Sequence, residues 1–372
     1  MRVIVLNPGS SSLKGSLVNV PGDDTVASDE VDWGADATAR TDRAAGVARL
    51  IANLSGGAPV DAIGYRVVHG GERFRAPTLV DDGVVEAIDQ LAAIAPLHNP
   101  VAAETIRAGR TALPDRPHVA CFDTAFHATL AEEAWRYPLP DEWVERHGLR
   151  RYGFHGLSVE WSVERASTLL DRPVDDLRLV VAHLGSGASV TAVSGGRSVD
   201  TSMGFTPLEG LMMGSRAGSV DPGILLHLLR GGVSPDELAD GLDHRSGLVA
   251  VSGSSGGGRE IEAAARDGDA RARLALDMFA RRAASGIAAI AASLDRLDAI
   301  VFTGGIGQNS ATMRAAITAR LGVLGVATVR AESDADAVLS PAGAPVAVLR
   351  VGAREDLAIA RDVHRLLGRD AD

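Results

Sequence analysis

The chain has 372 residues, a formal net charge of −11 and one cysteine, Cys121. A lone cysteine excludes an internal disulfide and a cysteine-based zinc site. The acidic balance argues against nucleic acid or an anionic membrane as the main partner.

All but one of the 37 basic residues are arginine, so Lys14 is the only lysine. Hydrophobic residues make up 46% of the sequence, enough for a large core, and the length suits about two domains. No apolar run of about 18 residues occurs. The N-terminal apolar run breaks at Asn7-Pro8, too early for a signal peptide. A cytoplasmic protein is therefore expected.

In chain order, Val3–Leu6 and Leu13–Val20 read as strands joined by a Gly/Ser turn, with a weaker strand over Val26–Trp33. Thr41–Leu54 has helical spacing, with Thr41 or Asp42 as a cap and Gly56-Gly57 as the stop. Ile63–Val68 is a strand, Val84–Ile94 and Val101–Leu113 are helices, and Val119–Phe122 is a strand. Leu177–Ala182, Ser189–Val193 and Ala299–Phe302 are further strands. Leu274–Leu294 and Ala358–Leu367 are helices. Strands alternating with helices indicate an α/β fold.

A repeat spans half the chain. The strand and Gly-Ser turn at 3–10 have a counterpart at 180–186, and VACFDT (119–124) resembles IVFT (300–303) at nearly the same offset. Two related domains facing a ligand cleft would account for both.

Asn7–Lys14 and His183–Ser189 are Gly/Ser turns whose backbone N–H groups suit phosphate oxygens. Lys14 adds a point charge. An ordinary polar hairpin has the same local residues. Thr303–Ser310 is a Gly-rich turn after a strand, where a nucleotide can rest on bare backbone. It lacks the full dinucleotide fingerprint. Arg66 ends a strand and Arg216 lies in a glycine-bearing loop. Both suit a carboxylate or phosphate, and both could equally be structural ion pairs. Asp123 at a strand end is a candidate carboxylate or a helix cap. His155 could donate to an anionic oxygen, and Glu355 favours a helix start or holds magnesium.

The motifs LNPGSSSLK (6–14), RVVHGG (66–71), PLHNP (96–100), FDTAFH (122–127), YGFHGLS (152–158), HLGSGAS (183–189), DTSMGFTPLEGLMMGSRAGSVDPG (200–223), FTGGIGQNS (302–310) and EDLAIA (355–360) cover nearly the whole chain. Together they closely resemble the acetate and propionate kinase family. The resemblance implies a duplicated actin-like (ribonuclease H-like) α/β fold, with mixed sheets flanked by helices and an active-site cleft between the domains. It implies residues 1–125 plus 358–372 as the N-terminal domain, 126–357 as the nucleotide-binding domain, and usually a homodimer.

By position, the resemblance assigns Asp123, His155, Arg216 and Arg66 to catalysis, with Arg66 on the acyl carboxylate. Val68, Leu97, Phe154 and Pro207 match its small acyl pocket. Lys14, Ser10, Ser12, His183, Leu184, Gly185, Ser186, Gly187, Gly257, Gly258, Arg259, Gly305, Ile306, Gly307, Gln308 and Asn309 fall to ATP or ADP. Asn7 and Glu355 fall to Mg2+, with Mn2+ as the alternative hard ion. The implied reaction phosphorylates acetate, or propionate as the alternative, reversibly and in line. A sugar kinase of the same superfamily and a non-catalytic actin-like protein are the competing readings.

Two departures stand out. Ser186 replaces the family's asparagine, and Gly257 replaces the aspartate of its Asp-x-Arg near the adenosine, whereas Arg259 is kept.

Overall fold

The strands β1 (Arg2–Pro8), β2 (Ser12–Asn19), β3 (Asp24–Asp32), β4 (Ala62–Val67), β5 (Thr78–Leu79) and β6 (His118–Phe122) form one mixed sheet in the order β3-β2-β1-β4-β6-β5. β1, β2 and β3 are an antiparallel meander, β4 and β6 continue parallel to β1, and β5 closes the edge antiparallel. This computed structural model describes residues 1–9, 12–33, 40–254 and 257–369.

A second sheet contains β7 (Arg178–Leu184), β8 (Ala188–Ser194), β9 (Arg197–Thr201), β10 (Ala299–Thr303), β11 (Ala337–Val338) and β12 (Ala347–Arg350). Its order is β11-β12-β10-β7-β8-β9, the same topology strand for strand. By contacts the chain divides into one unit of Met1–Ala128, Phe154–Leu157 and Arg354–Asp372 and another of Thr129–Gly153 and Ser158–Ala353.

The duplication holds, but half of the expected pairing does not. β1 and its turn do correspond to β7 and its turn. VACFDT lies on β6, whose counterpart is β12, while IVFT lies on β10, the counterpart of β4. All five residues of β6 and of β10 are buried. A parallel strand covered on both faces is a plain apolar run wherever it sits, so such a likeness carries no positional information.

Helices cover both faces of the first sheet. The helix Arg40–Ser55 packs Leu50 and Leu54 onto Gly15, and Asn99–Ala112 brings Gly109 against Tyr65 on the same face. The helix Glu355–Arg369 packs Ile359 and Val363 onto Gly64 of β4, whose α-carbon points the other way. Arg40–Ser55 starts ahead of Thr41 and Asp42, whose side chains lie outside the description. It stops as expected, with Gly56 at φ 55°. The helix expected to reach Ile94 ends at Gln90 and passes into a 3-10 turn, Leu91–Ala93. Pro96 follows closely and disfavours helical backbone at the residue before it.

Candidate active site

The carboxyl ends of the three parallel strands in the first sheet collect the polar groups. Asn7 is near the end of β1, Arg66 is the penultimate residue of β4, and Asp123 directly follows β6. Glu355 is the first residue of the helix packed on β1 and β4. Ligands in open α/β sheets favour this end. The Arg66 Nε donates to both Asp123 oxygens at 3.1 Å, and its Nη2 donates to Oδ2 at 2.6 Å. Nη1 donates to Asn7 Oδ1 at 3.2 Å and lies 3.4 Å from Glu355 Oε2. Asn7 Nδ2 donates to the same Glu355 oxygen at 3.1 Å.

Charge and burial compete here. Burial alone would lower the Arg66 pKa, but Asp123 and Glu355 outweigh it and hold the guanidinium firmly protonated. Burial pushes the Asp123 carboxyl up to about 6, with Glu355 adding repulsion and Arg66 opposing both. Asn7 and Glu355 offer hard oxygen donors of the kind Mg2+ selects, although both face the Arg66 guanidinium here.

The YGFHG segment is pinned to the same strand end. His155 has φ 60°, a left-handed conformation that is costly for a non-glycine residue and collects at functional sites. The Gly156 N–H donates to the Asp123 carbonyl at 2.8 Å. A β-carbon on Gly156 would lie 2.3 Å from that oxygen, so only glycine fits. The Phe154 carbonyl is 2.9 Å from His127 Nε2, and the buried Phe154 ring meets His69 edge-on.

Two residues here were not assigned roles from the sequence. One is His127. The other is the fully buried Asn99, whose amide donates to the His69 carbonyl at 2.9 Å and accepts from the His69 N–H at 3.2 Å. That double bond fixes the strand exit beside the half-buried Val68. Both residues lie inside quoted motifs, which was the available signal. Leu97 is exposed. Lys14 is exposed on β2, with Asn7 on one side in register and Glu30 on the other. Ser12 donates to Glu30 at 2.7 Å. Ser10 lies outside the described residues.

In the second unit, a cavity of about 660 Å³ brings the expected nucleotide segments together. Gly185 and Ser186, the run 257–259, and Gly305, Ile306 and Asn309 all line it. His183, Leu184, Gly187, Gly307 and Gln308 are not among its lining residues. Gln308 is turned inward, its Oε1 accepting from the Ala353 N–H at 2.8 Å. Gly304 has φ 76°, and a β-carbon there would lie 2.8 Å from the Leu184 carbonyl oxygen, so the turn needs glycine twice over.

Arg216 is tied to this cavity through its loop. The Gly214 N–H donates to the Ser186 carbonyl at 3.0 Å, and Arg216 Nη1 donates to the Pro207 carbonyl at 2.7 Å. Burial pulls the Arg216 pKa down, while Asp243 pulls the other way. Behind Pro207, Glu209 accepts from Arg151 at 2.9 Å and from the Tyr137 hydroxyl, a further buttress not assigned from the sequence.

The model of the acetokinase family matches residues 2–361. The chain belongs to the acetokinase family. An acetate kinase from a Synechococcus strain is 47% identical over 401 aligned positions, covering 99% of each chain. Among solved structures, an acetate kinase from Porphyromonas gingivalis superposes with a TM-score of 0.90 at 33% identity, covering 98% of this chain and 99% of that one. A propionate kinase from Francisella tularensis superposes at 0.88 with 34% identity, covering 97% and 98%. As a member of the acetokinase family the chain is a kinase, with the duplicated α/β fold of these structures.

The charge cluster predicts a pH dependence. Between the ordinary carboxylate range and about 6, folded Asp123 keeps a proton that the unfolded chain has released. Its contribution to stability therefore falls as pH rises through that window. Arg66→Met removes the opposing cation and drives the carboxyl higher still. The variant should lose about 3 kcal/mol near pH 8 and clearly less near pH 5, as read from urea unfolding. Equal losses at both pH values would show that Asp123 does not depend on Arg66.

Proposed function

We propose that the chain is an acetate kinase, moving the γ-phosphoryl group of ATP to acetate and running in reverse from acetyl phosphate and ADP. The observation that carries this reading is Arg66, a protonated guanidinium 19% exposed at the ends of parallel strands, backed by an almost wholly buried Asp123. A short carboxylate is what such a partly open cation would bind, and the half-buried Val68, two residues further on, would supply apolar surface.

The chemistry needs no general base. A carboxylic acid with a pKa of about 4 to 5 is already ionised at neutral pH. The acetate oxygen forms the new bond to the γ-phosphorus as the bond to the β–γ bridging oxygen breaks, and ADP leaves with that electron pair. The barrier is that of joining two anions, so positive charge is the main requirement. Arg66 holds the carboxylate. Arg216 and His155 stabilise charge on the transferring group. Asp123 orients Arg66 and removes no proton. Asn7 and Glu355 would hold Mg2+, which would supply charge neutralisation on the phosphate oxygens. Lys14 and the turns 183–187 and 305–309 take the nucleotide. Propionate is the second reading, favoured by the likeness to the propionate kinase.

We also propose a homodimer. The helix Pro222–Arg230 has no buried residue, and it exposes Ile224, Leu226, Leu228 and Leu229. A contiguous apolar surface of that kind marks an interface. Among the described residues no helix is long and apolar enough to cross a membrane. The cytoplasm, where ATP is plentiful, is the proposed location.

An acyl hydroxamate assay with acetate, propionate and butyrate tests the function. Acetate should give the highest kcat/KM, and phosphorylation of a sugar but of no carboxylate would refute the assignment. Arg216→Ala should lower kcat by at least about a hundredfold and change the ATP KM by no more than about threefold. A wild-type kcat would remove Arg216 from the reaction. Lys14→Arg should raise the ATP KM several-fold, because a forked guanidinium does not replace a compact ammonium. Unchanged ATP kinetics would leave Lys14 a surface residue. Leu226→Asp should sediment as a monomer where the wild type sediments as a dimer.

A further inference from the structure

We propose that Ser158 is a positioning residue that fixes the tautomer of His183, so that the imidazole presents its Nε2–H to a phosphate oxygen of the nucleotide. The proposal rests on the reading of 183–187 as a phosphate turn.

Ser158 is fully buried in the first turn of the helix Gly156–Leu170. Its Oγ lies 2.9 Å from His183 Nδ1, and its carbonyl accepts from Ser162 Oγ at 2.7 Å, which steadies that turn. The other ring nitrogen faces the turn. A β-carbon built on Gly185 would lie 3.9 Å from His183 Nε2 and 3.5 Å from the Gly305 backbone nitrogen. Gly185 and Gly305 both line the nucleotide cavity. His183 Nε2 and the Gly305 backbone nitrogen therefore both lie close to the Gly185 turn.

The sheet register adds a second, independent observation. His183 is flanked by Ser189 on β8 and Thr303 on β10, both fully buried. Thr303 Oγ1 has no hydrogen-bond partner among the described residues. Through the duplicated topology this row corresponds to Lys14, Asn7 and the position of Arg66 in the first unit. An orphaned buried hydroxyl beside His183 marks a spot where a polar ligand group is missing a contact.

A neutral imidazole donates from one nitrogen and accepts at the other. A serine hydroxyl can play either part, but the buried Ser158 Oγ has no other hydrogen-bond partner among the described residues, so only donation to Nδ1 leaves no hydroxyl proton stranded. The ring proton is then on Nε2, where a phosphate oxygen would accept it. The outer partner sets the tautomer much as second-shell groups do for metal-bound histidines.

The test uses the full chain labelled with 15N-histidine, with the His183 signals assigned by their loss in His183→Gln. Wild type should show a protonated Nε2 and a bare Nδ1. Ser158→Ala should give mixed tautomers and an ATP KM raised by about tenfold. A proton on Nδ1 in wild type overturns the proposal, as does a Ser158→Ala variant with unchanged tautomer and KM. Titration with ADP separates the underlying reading. A shifted His183 Nε2 signal supports the phosphate turn, whereas a silent one overturns that reading and with it the role in binding. The tautomer measured without nucleotide stands apart from that result.

Discussion

One guanidinium organises the first unit. Arg66 satisfies both oxygens of Asp123, the amide oxygen of Asn7 and the near oxygen of Glu355 at once. Without it, two carboxylates would share a small and partly dry space, where Glu355 opposes ionisation of the buried Asp123. A buried ion pair is weak evidence for stability, because desolvation offsets most of the Coulomb gain. The cluster makes better sense as preorganisation. Negative groups hold the arginine in one orientation while part of it stays open to solvent. The strand ends, the pinned YGFHG segment and the Asn99 clamp all serve to keep that arrangement in register.

On the proposed assignment of sites, one topology supports two tasks. In the first unit the row across the sheet carries charge at Lys14 and at the position of Arg66, either side of the amide Asn7. In the second, the matching row is Ser189, His183 and Thr303, and the turns beyond it are rich in glycine. A small carboxylate offers only two oxygens and needs a fixed cation to hold it. A phosphate chain offers many oxygens and can be held by backbone N–H groups, provided that side chains do not block the approach. On that assignment the second sheet replaces side-chain charge with glycine turns.

Much of this was legible in the sequence. The central strands announce themselves as apolar β-branched runs, and Asn7, Arg66, Asp123 and Glu355 stand in motifs that mark them. What the sequence withheld depends on contact through space. Asn99, His127, Ser158 and Glu209 act by touching other residues, and no local pattern distinguishes a bonded serine from a solvated one. The two-residue edge strands Thr78–Leu79 and Ala337–Val338 are too short to show periodicity. The pairing of VACFDT with IVFT failed for a related reason, since burial on both faces erases the alternation that would separate one strand from another.

Lys14 draws these strands together. A composition this poor in lysine makes arginine the default cation, and the other cations of the chain show why that works. Arg361 forks onto Asp23 and Arg354 onto Asp356, each using two donors on one carboxylate. Lys14 does nothing of the kind. Among the described residues no carboxylate closes an ion pair with it, although Glu30 sits opposite in register and is bonded by Ser12 instead. Lys14 is exposed and pairs in register with Asn7, one strand from β4. An arginine at that position would offer a fork to Glu30, its neighbour on the other side. A compact charge on a flexible stem adds positive potential without competing for that carboxylate. The single lysine is thus the substitution that charge at this position permits.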